Sequence, residues 1–145
     1  MTSDFSTVDE AVNRIPIIKL WHLLLVPVQG HVTDQQLDQL SEGLLGRIHE
    51  TGATGIIIDV TGMWLIDSHT CALLSRIATA ARLMGARTVM CGMAPEIALT
   101  LQSMGLDLPD VKTELTLEEA LKNLGIESTI AVEEDDEDHW LLPSG

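Results

Sequence analysis

Short apolar runs alternate along this chain with segments whose apolar residues recur every three or four positions. The uninterrupted runs predict strands, and the periodic segments predict amphipathic helices. The first run, "IPIIKLWHLLLVPVQG" at 15–30, is broken near Trp21-His22, which predicts a β-hairpin that leads to Gly30.

Three further runs predict the rest of the sheet. "GIIIDV" at 55–60 and "RTVMCGM" at 87–93 have the pattern of strands buried on both faces of a parallel sheet. "DVKTEL" at 110–115 is a shorter extended segment.

Four segments have helical spacing and carry helix-capping residues at their ends. The first begins at the capping-box pair Thr33 and Gln36 and stops at Gly52, and the fourth begins at a second such pair, Thr116 and Glu119. The other predicted helix boundaries are Gly85, Pro95, Gly105 and Gly125. The positions predicted to face the core are Leu37, Leu40, Leu44, Ile48, Leu74, Ile77, Ala81, Met84, Ile97, Leu101, Met104, Leu117, Leu121 and Leu124.

Strands that alternate with helices predict an α/β fold: an N-terminal hairpin, right-handed crossovers and a mixed, largely parallel central sheet with helices packed on it. One domain over residues 14–126 is expected, because 145 residues with 46% hydrophobic side chains suit a single core. Residues 1–13 are polar and are predicted to be flexible. Residues 127–145 contain the acidic run Glu133 to Asp138 and are predicted to be a disordered tail.

The charge balance excludes some partners. With 22 acidic against 8 basic residues the formal net charge is −14, which argues against binding nucleic acid or an anionic membrane. Cys71 and Cys91 stand singly in apolar stretches and are predicted to be buried free thiols, which favours the cytoplasm. The first ten residues lack the pattern of a signal peptide, and no stretch approaches 18 apolar residues, so neither secretion nor a membrane span is expected.

The segment "WLIDSHTCALL" at 64–74 holds the candidate chemistry. An Asp67-His69-Ser68 triad is disfavoured, because three consecutive side chains cannot line up as nucleophile, base and orienting group, and G-x-S-x-G is missing. Either Asp67 or Ser68 could instead be the N-cap of the next helix, with no capping box to decide between them. The third alternative is that Ser68 is displayed for modification by a kinase.

Other motifs are missing from the sequence. The five histidines lack the spacing of a metal site, and no phosphate-binding glycine loop occurs, so neither metal nor cofactor is expected. Arg76 and Arg82 are predicted on the solvated face of the helix that follows Ser68, where they could contact an acidic neighbour in an assembly.

From about Ile15 to Ile126 the sequence resembles the STAS domains of anti-sigma factor antagonists, above all the small stressosome scaffold subunits of the RsbS type. The most specific matching pieces are "IPIIKLWHLLLVPVQG", the "IDS" at 66–68, "ARLMGAR" at 81–87 and "PEIALTLQSMGL" at 95–106. The acidic tail and the first dozen residues have no counterpart in that family.

The resemblance implies that Ser68 is phosphorylated by a serine kinase of the RsbT type, with Asp67 and His69 beside it in the contact loop. Thr100 matches a second phosphorylated threonine of the larger paralogues, a site that RsbS-type subunits are not generally thought to use. The resemblance further implies a non-catalytic stress-signalling scaffold. It would assemble with RsbR-like STAS paralogues as a homo- or hetero-oligomer, restrain the kinase, and release it upon phosphorylation. The alternative is a stand-alone anti-sigma factor antagonist in a two-protein partner switch.

Overall fold

A computed structural model describes residues 14–105 and 108–126. In this part of the chain the strands are β1 (Ile18–Leu20), β2 (Leu23–Gly30), β3 (Gly55–Met63), β4 (Arg87–Cys91) and β5 (Val111–Glu114). The helices are α1 (Asp34–Thr51), α2 (Ser68–Leu83), α3 (Pro95–Ser103) and α4 (Leu117–Asn123). The predictions for the N-terminal segment and the acidic tail lie outside the described residues.

The five strands form one sheet in the order β1-β2-β3-β4-β5. β1 pairs antiparallel with β2 around the predicted turn at Trp21-His22, and the other neighbouring pairs are parallel. The predicted α/β fold with a hairpin and a largely parallel sheet is therefore confirmed.

Alternating side chains of the central strand enter two separate cores. Ile56 and Ile58 of β3 pack with buried residues of α1, α2 and α3, whereas Ile57 points to the other face and packs with Ala120 and Leu124 at α4. All three isoleucines are fully buried. Helices on both faces of the sheet explain why "GIIIDV" is apolar without alternation.

Helix α1 begins and ends as its sequence predicts. Thr33 Oγ1 accepts the N–H of Gln36 at 3.1 Å, while Gln36 Oε1 accepts the N–H of Thr33 at 2.9 Å, which completes the capping box. At the other end Gly52 has a φ of 68° and donates its N–H to the carbonyl of Ile48 at 2.8 Å.

Two predicted core residues are exposed instead. Met84 and Met104 continue the helical spacing of α2 and α3, yet they are 42% and 41% exposed. Each is the C-cap residue and precedes a glycine with positive φ, Gly85 or Gly105, so the chain has already left the helical path that would point the side chain inward. The prediction that these two methionines face the core was wrong.

The parallel strands give the sheet two distinct ends. Their carboxyl ends lead into the loops before α1, α2, α3 and α4, and the loop at 64–67 is one of these. Their amino ends lie with the hairpin turn and with the carboxyl ends of the helices. Ser68 is therefore at the end where α/β folds usually bind partners and ligands.

Candidate functional site

The structure decides which residue caps helix α2. Asp67 has extended backbone angles, and its Oδ1 accepts the N–H of Thr70 at 2.7 Å, so Asp67 is the N-cap. Ser68 is the first residue of the helix, with an exposed side chain. Within the described residues the Ser68 hydroxyl has no hydrogen-bond partner. Of the two capping residues that the sequence allows, the structure selects Asp67, so the hydroxyl of Ser68 is not needed to hold the helix.

The cap keeps a negative charge beside Ser68. The backbone N–H of Thr70 holds the pKa of the Asp67 carboxyl below its usual value of 3.8, with a smaller effect from the nearby charges of His69 and His31. Asp67 is therefore ionised at neutral pH. An ionised carboxylate at the helix N-terminus is favourable, because it lies at the positive end of the helix dipole.

His69 pairs with a residue of a different helix. Its Nε2 lies 3.2 Å from Oδ2 of Asp34, the first residue of α1, and both side chains are largely exposed. Asp67 bonds to Thr70 and His69 pairs with Asp34, so neither side chain activates Ser68. The hydrogen-bonded line that a serine nucleophile requires is not formed by these three residues.

Two large apolar side chains in the same loop point into solvent. Trp64 is 75% exposed and Leu65 is 56% exposed, while the next residue, Ile66, is buried. The ring of Trp64 rests beside Gly30 at the end of β2, where an added Cβ would lie 3.6 Å from Cζ2. Sequence reasoning missed this pair, because an apolar run next to a buried strand predicts burial. Exposed aromatic residues in a loop are typical of protein contact surfaces.

The basic residues of α2 do not reach Ser68. Arg76 and Arg82 follow it by 8 and 14 positions, which correspond to about 12 and 21 Å along a helix. Both are exposed. Arg82 Nη1 pairs with Oδ1 of the chain's own Asp110 at 3.1 Å, whereas Arg76 has no carboxylate partner within the described residues. The structure thus separates these arginines from Asp67, Ser68 and His69.

Thr100 lies in α3, apart from the Ser68 loop. Its side chain is exposed, but its hydroxyl donates to the carbonyl of Glu96 at 2.8 Å within the same helix. This is the usual local bond of a helical threonine. Thr100 and Ser68 lie on different helices, and within the described residues only the hydroxyl of Thr100 is already bonded.

Both cysteines are buried and neither forms a disulfide, as predicted. Burial, together with the charge of Asp59, raises the pKa of the Cys91 thiol to about 11. The thiol stays protonated at neutral pH, which makes Cys91 a poor nucleophile.

Residues 14–105 and 108–126 contain neither a metal site nor a membrane-spanning helix. No group of three or more His, Cys, Asp or Glu side chains there is arranged to hold a metal ion. None of the four described helices is both long and apolar enough to cross a membrane.

Comparison with known protein families identifies the family to which this fold belongs. Residues 14–120 match the family model described as "STAS domain". The chain belongs to the STAS-domain family. The match covers most of the chain and confirms the resemblance seen in its sequence.

Solved structures at moderate identity agree with this assignment. A serine-to-glutamate variant of Moorella thermoacetica RsbS is 33% identical, with a TM-score of 0.66 over 77% of this chain and 94% of that one. A chain from a structure titled "Molecular architecture of the stressosome, a signal integration and transduction hub" is 34% identical, with a TM-score of 0.65 over 75% of this chain and 95% of that one.

Among curated proteins the chain is similar to the RsbT co-antagonist protein RsbRA of Bacillus subtilis (strain 168). The two are 28% identical over 108 residues, which cover 74% of this chain. The chain spans only 39% of the length of RsbRA. The similarity therefore concerns only part of RsbRA.

Proposed function

We propose that this STAS protein is a non-catalytic stress-signalling scaffold that binds and restrains an RsbT-like serine kinase. In this proposal it assembles with RsbR-like STAS paralogues into a stressosome-type complex, and phosphorylation of Ser68 releases the kinase. Its similarity to RsbS, to a stressosome chain and to an RsbT co-antagonist supports this choice of partners.

The observation that carries the proposal is that Asp67 and Ser68 have separate roles at the start of α2. Asp67 caps the helix, and Ser68 presents an exposed hydroxyl with no partner in the described part of the chain. A kinase needs an accessible hydroxyl whose modification does not break the acceptor protein. Ser68 meets the first condition, and we expect it to meet the second because its hydroxyl holds no bond within the described residues, whereas the hydroxyl of Thr100 is already bonded to its own helix.

The neighbouring side chains suit a contact surface. Trp64 and Leu65 offer apolar area in the loop that leads to Ser68, and His69 and Asp34 add a paired polar rim. Interfaces commonly combine an aromatic anchor with such a rim. A phosphate of −1.5 to −2 charges at Ser68 would stand beside the ionised Asp67 and make this surface strongly negative. We expect that change of charge to weaken docking of the kinase.

The direct test is phosphorylation of the full chain by an RsbT-like kinase with ATP, read by intact mass and site mapping. We expect one phosphate on Ser68, and none on Ser68→Ala. Ser75→Ala, altered seven residues further along the same helix, should be phosphorylated like the wild type. A phosphate that persists on Ser68→Ala, or transfers to Thr100 alone, would contradict the proposed site.

Kinase binding tests the second half of the proposal. Ser68→Ala should retain the kinase in a pull-down or by light scattering, and Ser68→Glu should bind it at least tenfold more weakly. Adding an RsbR-like paralogue separates the two modes of action. A large mixed assembly supports the scaffold, whereas a kinase complex that forms equally well without any paralogue supports the stand-alone antagonist.

A further inference from the structure

A cavity of about 300 Å³ lies at the amino ends of β4 and β5, at the end of the sheet opposite Ser68. Its walls come from the last turn of α2, the start of both strands, the segment at 109–110 and the end of α4. This volume is at the lower limit of natural small-molecule sites, which run from about 300 to 1,000 Å³.

The lining of the cavity is cationic in a strongly acidic protein. Arg82, Arg87 and Lys112 supply three of the eight basic residues of the whole chain, against a single carboxylate in the wall, that of Asp110. Both oxygens of Asp110 are already used, by Arg82 at 3.1 Å and by the hydroxyl of Thr79 at 2.7 Å. The cavity therefore keeps an excess of positive charge.

Two of the three cations are left without an acidic partner in the described part of the chain. Arg87 donates only a long bond of 3.4 Å from Nη2 to the carbonyl of Asn123, and Lys112 has no ion pair there. Both residues stand at the cavity wall, on the adjacent strands β4 and β5. Two unpaired cations on neighbouring strands are suited to one anionic group.

A buried hydroxyl in the same wall also lacks a partner. Thr88 lies between Arg87 and Val89 at the cavity and is only 3% exposed, and its Oγ1 has no hydrogen-bond partner among the described groups. An unsatisfied buried hydroxyl is unfavourable, and most such groups in native proteins find a partner. This hydroxyl has almost no surface open to the cavity and is therefore not a ligand group. Of the apolar residues in the wall, Val89 is fully buried, Val111 is half-buried and Pro109 is exposed.

We propose that this cavity binds a small organic anion, with its phosphate or carboxylate group at Arg87 and Lys112 and its short carbon skeleton against Pro109. The site is independent of the kinase and of the proposed role of Ser68, so that either can fail without the other.

The test is a titration of the ¹⁵N-labelled full chain, followed by NMR, with glycerol 3-phosphate as the phosphate probe and succinate as the carboxylate probe. Glycerol serves as the uncharged control. We expect saturable shifts at the amides of Arg87, Thr88 and Lys112 with at least one anion. Glycerol should bind at least tenfold more weakly, and the shifts should weaken as salt is added, because these cations are exposed.

Two charge variants and two matched controls distinguish binding at this site from a general attraction of anions to the protein. Arg87→Gln and Lys112→Gln should each weaken binding about tenfold, the effect of losing one charge-assisted hydrogen bond. Thr88→Val keeps the side-chain shape and removes only a buried hydroxyl, so it should change the affinity less than twofold. Lys19→Gln removes an equivalent charge from β1, at the far edge of the sheet, and should change the affinity less than twofold.

Either of two results would overturn the inference. Absence of saturable shifts with both anions would show that the cavity is not a site for this class of ligand. Equal losses in Lys19→Gln and Lys112→Gln would show that the anions respond only to overall charge. A preference for glycerol 3-phosphate or for succinate identifies the anionic group that the cavity takes.

Discussion

A negative group at Ser68 should leave the folded protein intact. The change to test is Ser68→Glu, together with the phosphorylated wild type. Ser68 is the first residue of α2, exposed, and its hydroxyl bonds to nothing in the described structure. No native contact is therefore lost, and only the electrostatic surroundings of the new charge decide the effect.

Those surroundings contain two opposing effects. A negative charge in the first turn of a helix gains about 0.3 to 1 kcal/mol from the helix dipole. Repulsion from the adjacent Asp67 carboxylate acts in the opposite direction, because the bond from the Thr70 N–H keeps that group ionised. The dipole gain is thus an upper limit on stabilisation, and we expect the free energy of unfolding to change by less than about 1 kcal/mol.

Urea unfolding, followed by circular dichroism, measures this change. Ala72→Glu is the matched control, since it places the same charge on the exposed side of α2 one turn beyond Ser68, past the N–H groups that lack a partner within the helix. It should alter the free energy of unfolding by no more than about 0.5 kcal/mol, as most surface substitutions do. A loss above about 2 kcal/mol in Ser68→Glu alone, well outside the range of helix-terminus charges, would refute the reasoning. Release of the kinase would then act through unfolding of α2.

Two other predictions concern residues at the same end of the sheet. Gly92→Ala should destabilise the protein by about 1–3 kcal/mol more than Gly52→Ala in thermal or urea unfolding. Both glycines have a φ near +70°, but a Cβ at Gly92 would overlap Thr61 Oγ1, while one at Gly52 meets open space. Equal losses of stability in the two variants would show that Thr61 simply moves. For Asp67, the lowered pKa means that its stabilisation is present above about pH 4 and lost as the pH falls through the folded value. Stability curves of Asp67→Asn and wild type should converge below pH 4, and a constant difference would contradict the assignment of the cap.

The sequence was sufficient for the fold because the local signals agreed with one another. The capping box at Thr33 and the stop at Gly52 bound α1 as predicted, and "GIIIDV" forms the strand with helices on both of its faces. The spacing rule failed only at Met84 and Met104, where the helix ends one residue before the apolar pattern does.

The site was harder to predict, for reasons that lie in three-dimensional placement. Asp67 and Ser68 are both good capping residues, and only the path of the backbone decides which side chain reaches the N–H of Thr70. His69 pairs with Asp34, a residue 35 positions earlier in the chain, and the pair joins the starts of two helices. Hydrophobicity alone predicts burial for Trp64, yet the loop at the carboxyl end of β3 leaves it exposed.

Helix α2 connects the two proposed sites, because it begins at Ser68 and its last turn carries Arg82 into the cavity wall. A connection of this kind produces coupling only if the helix has two arrangements that the sites favour differently. Phosphorylation at Ser68 breaks no contact of α2, since Asp67 keeps the cap and Arg82 keeps Asp110. The physical expectation is therefore independence, with the same anion affinity in Ser68→Glu and in the wild type. Unequal affinities would mean that α2 shifts upon modification, and linkage would then require that the bound anion alters the phosphorylation equilibrium of Ser68 by the same factor.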